Sequence, residues 1–135
     1  MAVDWGTRRI GVAVSDETWS LARSLPTLEV ASVRESVRGL VALAQANEVA
    51  IMVVGDPVHM DGSEGSSSLK VRSLVGRLSQ ALPEVRFVLW DERLSSHQAE
   101  GILKERQESF RGAKGRLDQV AAALLLQSYL DSGPT

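Results

Sequence analysis

Two kinds of hydrophobic spacing alternate along the chain. Val3 to Trp5 and Ile10 to Val14 are short apolar, mostly β-branched runs separated by the polar stretch Gly6-Thr7-Arg8-Arg9. Two strands joined by a turn have this form, with Gly6 free to take positive φ. Leu25 to Val30 predicts a third strand, with Pro26 tolerable only at its start or on an edge, because proline cannot donate to a central ladder. From Val33 to Ala46 the spacing changes. Val33, Val37, Leu40, Val41 and Ala44 recur every three or four residues, one buried helical face with Ser32 as its N-cap.

The unbroken run Val49 to Val54 reads as a central strand covered on both faces and ended by Gly55-Asp56-Pro57. Gly55 to Ser68 is rich in Gly, Ser, Asp and Pro, hence a loop where open α/β sheets place functional loops. Leu69 to Leu82 returns to helical spacing, and Val85 to Trp90 is a second buried-type strand ending at Asp91-Glu92-Arg93. Two more helices are expected over Ser95 to Gln107 and Gly115 to Leu130. The resulting order is β-β-β-α-β-α-β-α-α, an α/β pattern.

At 135 residues the chain is sized for one domain, residues 1–135, and its 44% hydrophobic and 24% charged residues are ordinary for a globular core. No cysteine is present, so thiolate chemistry and cysteine-bound zinc are excluded and a metal would sit on oxygen or histidine. The first residues lack a signal-like charged start and apolar run, and no apolar stretch approaches the roughly 20 residues that span a bilayer. The expectation is a cytoplasmic protein that does not enter a membrane. A net charge of -2 gives no global attraction to a polyanion, so nucleic-acid binding would rest on local clusters such as the basic run from Lys104 to Arg116.

Three acidic positions fall at the ends of predicted elements: Asp4 ending the first strand, Asp91-Glu92 ending the last, and Asp118 in the first turn of the final helix. Carboxylates brought together repel by several kcal/mol at low effective dielectric and persist mainly by binding a cation. Oxygen ligands point to Mg²⁺ or Mn²⁺. Two such ions roughly 4 Å apart serve phosphodiester hydrolysis by activating water and stabilising the leaving oxygen. Each acid also has an ordinary role: Asp118 can complement a helix dipole, and Asp91 or Glu92 can cap a helix or pair with Arg93. Asp4 is harder to assign that way, since an ionisable group in a short apolar strand is costly without a partner. Strand alternation lets only one of Asp91 and Glu92 join a cluster, and Glu92 is the preferred one. His59 and His97 lack ligand spacing, Ser66-Ser67-Ser68 lacks a nucleophile elbow, and Asp16, Asp56 and Asp61 read as turn formers.

Four segments in order carry a resemblance. They are Asp4-Trp5-Gly6-Thr7-Arg8-Arg9-Ile10-Gly11-Val12-Ala13, Val54-Gly55-Asp56-Pro57 with Met60-Asp61-Gly62-Ser63-Glu64-Gly65, Asp91-Glu92-Arg93-Leu94-Ser95, and Lys114 through Ala122. Together they resemble the bacterial YqgF/RuvX family, a Holliday-junction-resolvase-like group regarded as nucleases that mature the 5′ end of precursor 16S ribosomal RNA. The resemblance implies a ribonuclease H-like fold, a mixed five-stranded sheet with helices on both faces. It implies catalytic and metal-binding roles for Asp4, the Asp91-Glu92 pair and Asp118. Arg8, Arg9, Arg93 and Lys114 become candidates for phosphate contact. Two departures stand out: Asp56 replaces the family's usual Leu, and only three residues precede Asp4.

Asp4-x-Gly-Thr before a strand also looks like the phosphate-binding hairpin of the actin-like ATPases, but those close two domains around the nucleotide. The second reading is a non-catalytic nucleic-acid-binding module of the same fold. Retaining acids at all three positions favours catalysis, because phosphate binding gains nothing from negative charge. The partner is structured RNA, branched DNA or both. A junction resolvase needs a homodimer to supply two sites, whereas RNA trimming is compatible with a monomer.

Overall fold

The computed structural model describes residues 1–6, 8–56, 66–91 and 114–132, with side chains for all of these except 66–68 and 114–119. Five strands, β1 (Ala2–Trp5), β2 (Arg9–Ser15), β3 (Ala22–Glu29), β4 (Ile51–Asp56) and β5 (Arg86–Asp91), form one sheet in the order β3-β2-β1-β4-β5. β2 is antiparallel to both β1 and β3, while β4 runs parallel to both β1 and β5. Helices α1 (Val33–Ala46), α2 (Ser66–Ala81) and α3 (Lys114–Asp131) complete the described elements. The helix expected over Ser95 to Gln107 lies outside the described residues.

Side-chain alternation splits the core into two layers. Val3, Ile10, Val12, Val14, Met52 and Val54 face α1 and α2, where Leu40, Ala44, Val71, Leu74 and Leu78 meet them. The alternate residues Ala2, Ala13 and Val53 face α3 and pack on Ala122, Leu125 and Leu126. Helices therefore cover both faces, as the resemblance implied. Small residues on the α3 side allow that helix to approach closely.

Local chemistry accounts for the boundaries. Ser32 caps α1: its hydroxyl accepts from the Glu35 amide at 3.2 Å, and the Glu35 carboxylate accepts from the Ala31 amide at 2.6 Å. Val49, expected to begin a strand, instead gives its amide to Ala44 O in the helix C-cap, so β4 starts at Ile51. Pro26 does sit in an edge strand, and the β2–β3 register shifts between Ile10 and Val12, opposite it. Three expectations need correction. β5 is an edge strand, half-exposed along its length, because it pairs with β4 alone among the described strands. Helix α2 begins at Ser66, inside the stretch expected to be loop. Gly6 does not take positive φ; it is required for space, since a Cβ there would lie 2.6 Å from the Arg9 carbonyl oxygen.

Candidate active site at the carboxyl edge of the sheet

The carboxyl ends of β1, β4 and β5 share one edge, and the connectivity diverges there. The hairpin strands go one way from β1 and the parallel strands the other. Crevices outside such a divergence are where open α/β sheets hold ligands. Asp4 lies at this edge in β1, half-buried and paired in register with Gly11. It alternates with Val3 and Trp5, so it belongs to the α3 side with Ala2. Arg9 opens β2 on that same side, exposed and in register with Glu29, and exposed Arg8 precedes it.

The other side of the edge holds a second group of residues. Asp56 and Asp91 are register partners at the ends of β4 and β5, their backbones about 4.8 Å apart as parallel neighbours are. Asp56 shares the side of Met52 and Val54 and so faces α2, where Arg72 approaches its carboxylate at 3.7 Å. Only 6% of Asp56 is exposed. It is therefore a buried strand residue rather than the turn former its Gly-Asp-Pro context implied. The sequence held a signal for this: residues 52, 54 and 56 share one parity. Trp5, of matching parity on β1, has its indole Nε1 buried without a hydrogen-bond partner among the described atoms.

Asp91 thus belongs to the face opposite α3, since Trp90 points toward that helix. The Trp90 ring meets Tyr129 edge to face at 5.4 Å, and its Nε1 donates to the Ser128 hydroxyl at 3.2 Å. Asp118 lies in the second turn of α3, not the first as expected, because the helix begins at Lys114. That weakens its assignment to the helix dipole, which acts within the first turn. The side chains of Asp118 and Lys114, and the whole of Glu92 and Arg93, lie outside what is described. Among the described residues, no three acidic or histidine side chains converge.

Comparisons with known proteins decide the family. A model described as "RuvX: Holliday junction resolvase" matches residues 1–132. The chain belongs to the RuvX family. It is 42% identical over 131 residues, 97% of this chain and 95% of the relative, to a protein named "Putative pre-16S rRNA nuclease" in Anaeromyxobacter dehalogenans. A protein of the same name in Crocosphaera subtropica is 41% identical over 97% of this chain and 91% of its own. Among solved structures, Thermus thermophilus RuvC in complex with Holliday junction substrate superposes with a TM-score of 0.59 at 17% identity, covering 97% of this chain and 93% of that one. The Fowlpox virus resolvase bound to Holliday junction DNA gives 0.59 at 11% identity, covering 96% and 95%. At such identities these likenesses establish the fold, which is ribonuclease H-like.

Proposed function

We propose that this RuvX-family chain is a nuclease, a single domain over residues 1–135 that hydrolyses nucleic-acid phosphodiesters with divalent metal at Asp4, Glu92 and Asp118. The carrying observation is the side of the sheet on which Asp4 lies. Asp4 faces α3, and the alternation of β5 assigns Asp91 to the opposite face, which disfavours Asp91 as Asp4's partner and leaves Glu92 as the acid of the pair we assign.

The course of α3 supports the third member. Gln127 ties the helix to the far edge of the sheet, accepting from the Ala22 amide at 2.9 Å and donating to Ser20 O at 3.0 Å. Ala22 is level with Ser15. Asp118 precedes Gln127 by nine residues, about 13.5 Å of helix, which corresponds to about four strand residues. Four residues back from Ser15 is Gly11, the register partner of Asp4. A helix running along the strands would carry residue 118 to about the level of Asp4, which supports its assignment to the site.

These donors are all carboxylates on a cysteine-free chain, which suits hard Mg²⁺ or Mn²⁺ and disfavours softer ions. When bound, such ions supply Lewis acidity toward the phosphodiester and activation of water, by the two-metal route. The chain's own side chains do the rest. Asp4, Glu92 and Asp118 hold the ions, while Arg8, Arg9, Arg93 and Lys114 bind backbone phosphates and set the strand's position without reading sequence. We assign the substrate to structured nucleic acid, either precursor 16S rRNA during 5′-end maturation or Holliday-junction-like DNA, in the cytoplasm.

The parity reasoning is tested by comparing Asp4→Asn, Asp91→Asn and Glu92→Gln, each confirmed folded, in metal-dependent cleavage. Loss of cleavage in Asp4→Asn and Glu92→Gln, with Asp91→Asn retaining it, is expected. Loss in Asp91→Asn with retention in Glu92→Gln would refute the assignment.

A further inference from the structure

Asp56 ends β4 on the α2 side of the sheet, and only 6% of it is exposed. A carboxylate buried to that degree is costly, and an apolar residue of similar volume often serves stability as well or better. What the charge does is visible in its partner. The Arg72 guanidinium lies 3.7 Å from the Asp56 carboxylate, yet 45% of the Arg72 side chain is exposed. Buried Val71 and Leu74, on either side of Arg72 in the chain, seat this part of α2 against the core. The pair thus joins an anion fixed in the core to a cation held at the surface.

Position gives that cation a use. Its contact with the last residue of β4 sets the guanidinium at the carboxyl edge, which also carries Asp4. Exposed Arg8 and Arg9 stand at the same edge, where Arg9 opens β2. The Val30 amide donates to Arg8 O at 2.9 Å, which ties the start of α1, with exposed Arg34 in its first turn, to this edge as well. Among the described residues, these arginines outnumber the exposed acids there, Glu29 and Glu35, and the Glu35 carboxylate already accepts from the Ala31 amide at 2.6 Å. A chain of net charge -2 therefore exposes a locally basic edge, the kind of surface that attracts a polyanion.

Asp4 lies on the α3 side of that edge and Arg72 on the α2 side. A nucleic-acid strand carries one charge per about 3.4 Å of helix axis, so a strand bound at Asp4 continues within reach of the other side. A guanidinium presents several donors in a planar fork, and can meet a carboxylate and a phosphate together.

We propose that Arg72 binds a backbone phosphate of the nucleic acid on the side of the edge away from Asp4, and that Asp56 is the positioning residue that holds its guanidinium there. The identity of the ligand rests on the nuclease reading. The test measures binding of the full chain to a labelled four-way DNA junction and to a labelled precursor rRNA fragment, in EDTA, over about 50 to 200 mM salt. Arg72→Ala should weaken junction binding about tenfold and lower the slope of log affinity against log salt by about 0.9. That variant also leaves Asp56 with less compensation, so it is paired with Asp56→Leu combined with Arg72→Ala, which should regain stability but neither affinity nor slope. Asp56→Leu alone keeps the guanidinium and removes its anchor. It should weaken binding about threefold, the scale of ordering one side chain, with the slope retained. Arg77→Ala removes an exposed charge about 7.5 Å further along α2 and should keep the parent's slope. Parent-like binding by the double variant, an equal fall in slope for Arg77→Ala, or tighter binding by Asp56→Leu would overturn the inference and leave the nuclease reading standing. A parent that binds neither nucleic acid would overturn both.

Discussion

Replacing Gly6 by alanine probes the hairpin that carries Asp4. The added methyl would lie 2.6 Å from the Arg9 carbonyl oxygen, about 0.8 Å inside the 3.4 Å at which ordinary contact begins. The obstructing atom is backbone, adjacent to the Trp5–Ile10 pair that closes the β1–β2 ladder, so no rotamer change relieves it. Forcing a methyl into filled space costs about 1–3 kcal/mol, and the reduced freedom of the unfolded chain returns about 0.4–1 kcal/mol. A net loss of about 1–2 kcal/mol follows, read by urea denaturation or as a midpoint lowered by about 4 °C per kcal/mol. Opening the turn also displaces Asp4 against Arg9, and misplacement on the ångström scale costs up to about a hundredfold in rate. Gly76 is the control. It lies within α2 with nothing inside 4 Å of its added Cβ, so Gly76→Ala should gain about 0.5–1 kcal/mol. If Gly6→Ala is as stable and active as the parent while Gly76→Ala stabilises, the steric account of Gly6 is wrong.

Ser32→Ala removes the hydroxyl that caps α1 and should lower unfolding free energy by about 1 kcal/mol in urea titration, with no change in cleavage. Arg72→Ala leaves Asp56 buried with less compensation. Because Arg72 is 45% exposed and 3.7 Å away, the loss is about 1–2 kcal/mol, and adding Asp56→Leu should recover it by removing the buried charge. Asp16 has its carboxyl held below the ordinary 3.8, chiefly by the Ser20 amide. Its stabilisation is present above 3.8 and lost as pH falls through the lowered value. The midpoint gap between the parent and Asp16→Ala should therefore be widest near neutrality and close in acid; a gap independent of pH would contradict this.

The strands and helices that were legible in the sequence owe it to local patterns. Ser32 and the three-four spacing after it pointed to α1, the paired β-branched runs around Gly6 pointed to the hairpin, and Pro26 allowed only a strand start or an edge, of which β3 takes the edge. What was not legible depended on tertiary placement. The apolar run ending at Trp90 resembles a central strand, yet β5 pairs with β4 alone among the described strands, and α3 covers Trp90 on one face through Tyr129. Asp56 resembled a turn residue because Gly55 and Pro57 flank it, and only the packing of α2 against β4 shows it facing Arg72. For the candidate site, the sequence supplied the acids and the alternation that separates Asp91 from Glu92. That Asp91 does not share Asp4's side required knowing that Ala2 and Trp90 both face α3. The positive φ of Trp19 and Glu48 carried no sequence signal, because a left-handed residue other than glycine leaves no mark on composition.

The most direct test uses purified protein with labelled precursor rRNA fragments and four-way DNA junctions in Mg²⁺, Mn²⁺ or EDTA, beside folded Asp4→Asn and Asp118→Asn variants. Cleavage of one or both substrates only with metal, abolished in both variants while binding persists, is the predicted result. Binding without cleavage by the parent under every condition, or equal cleavage by the variants, would contradict the account and leave a nucleic-acid-binding module.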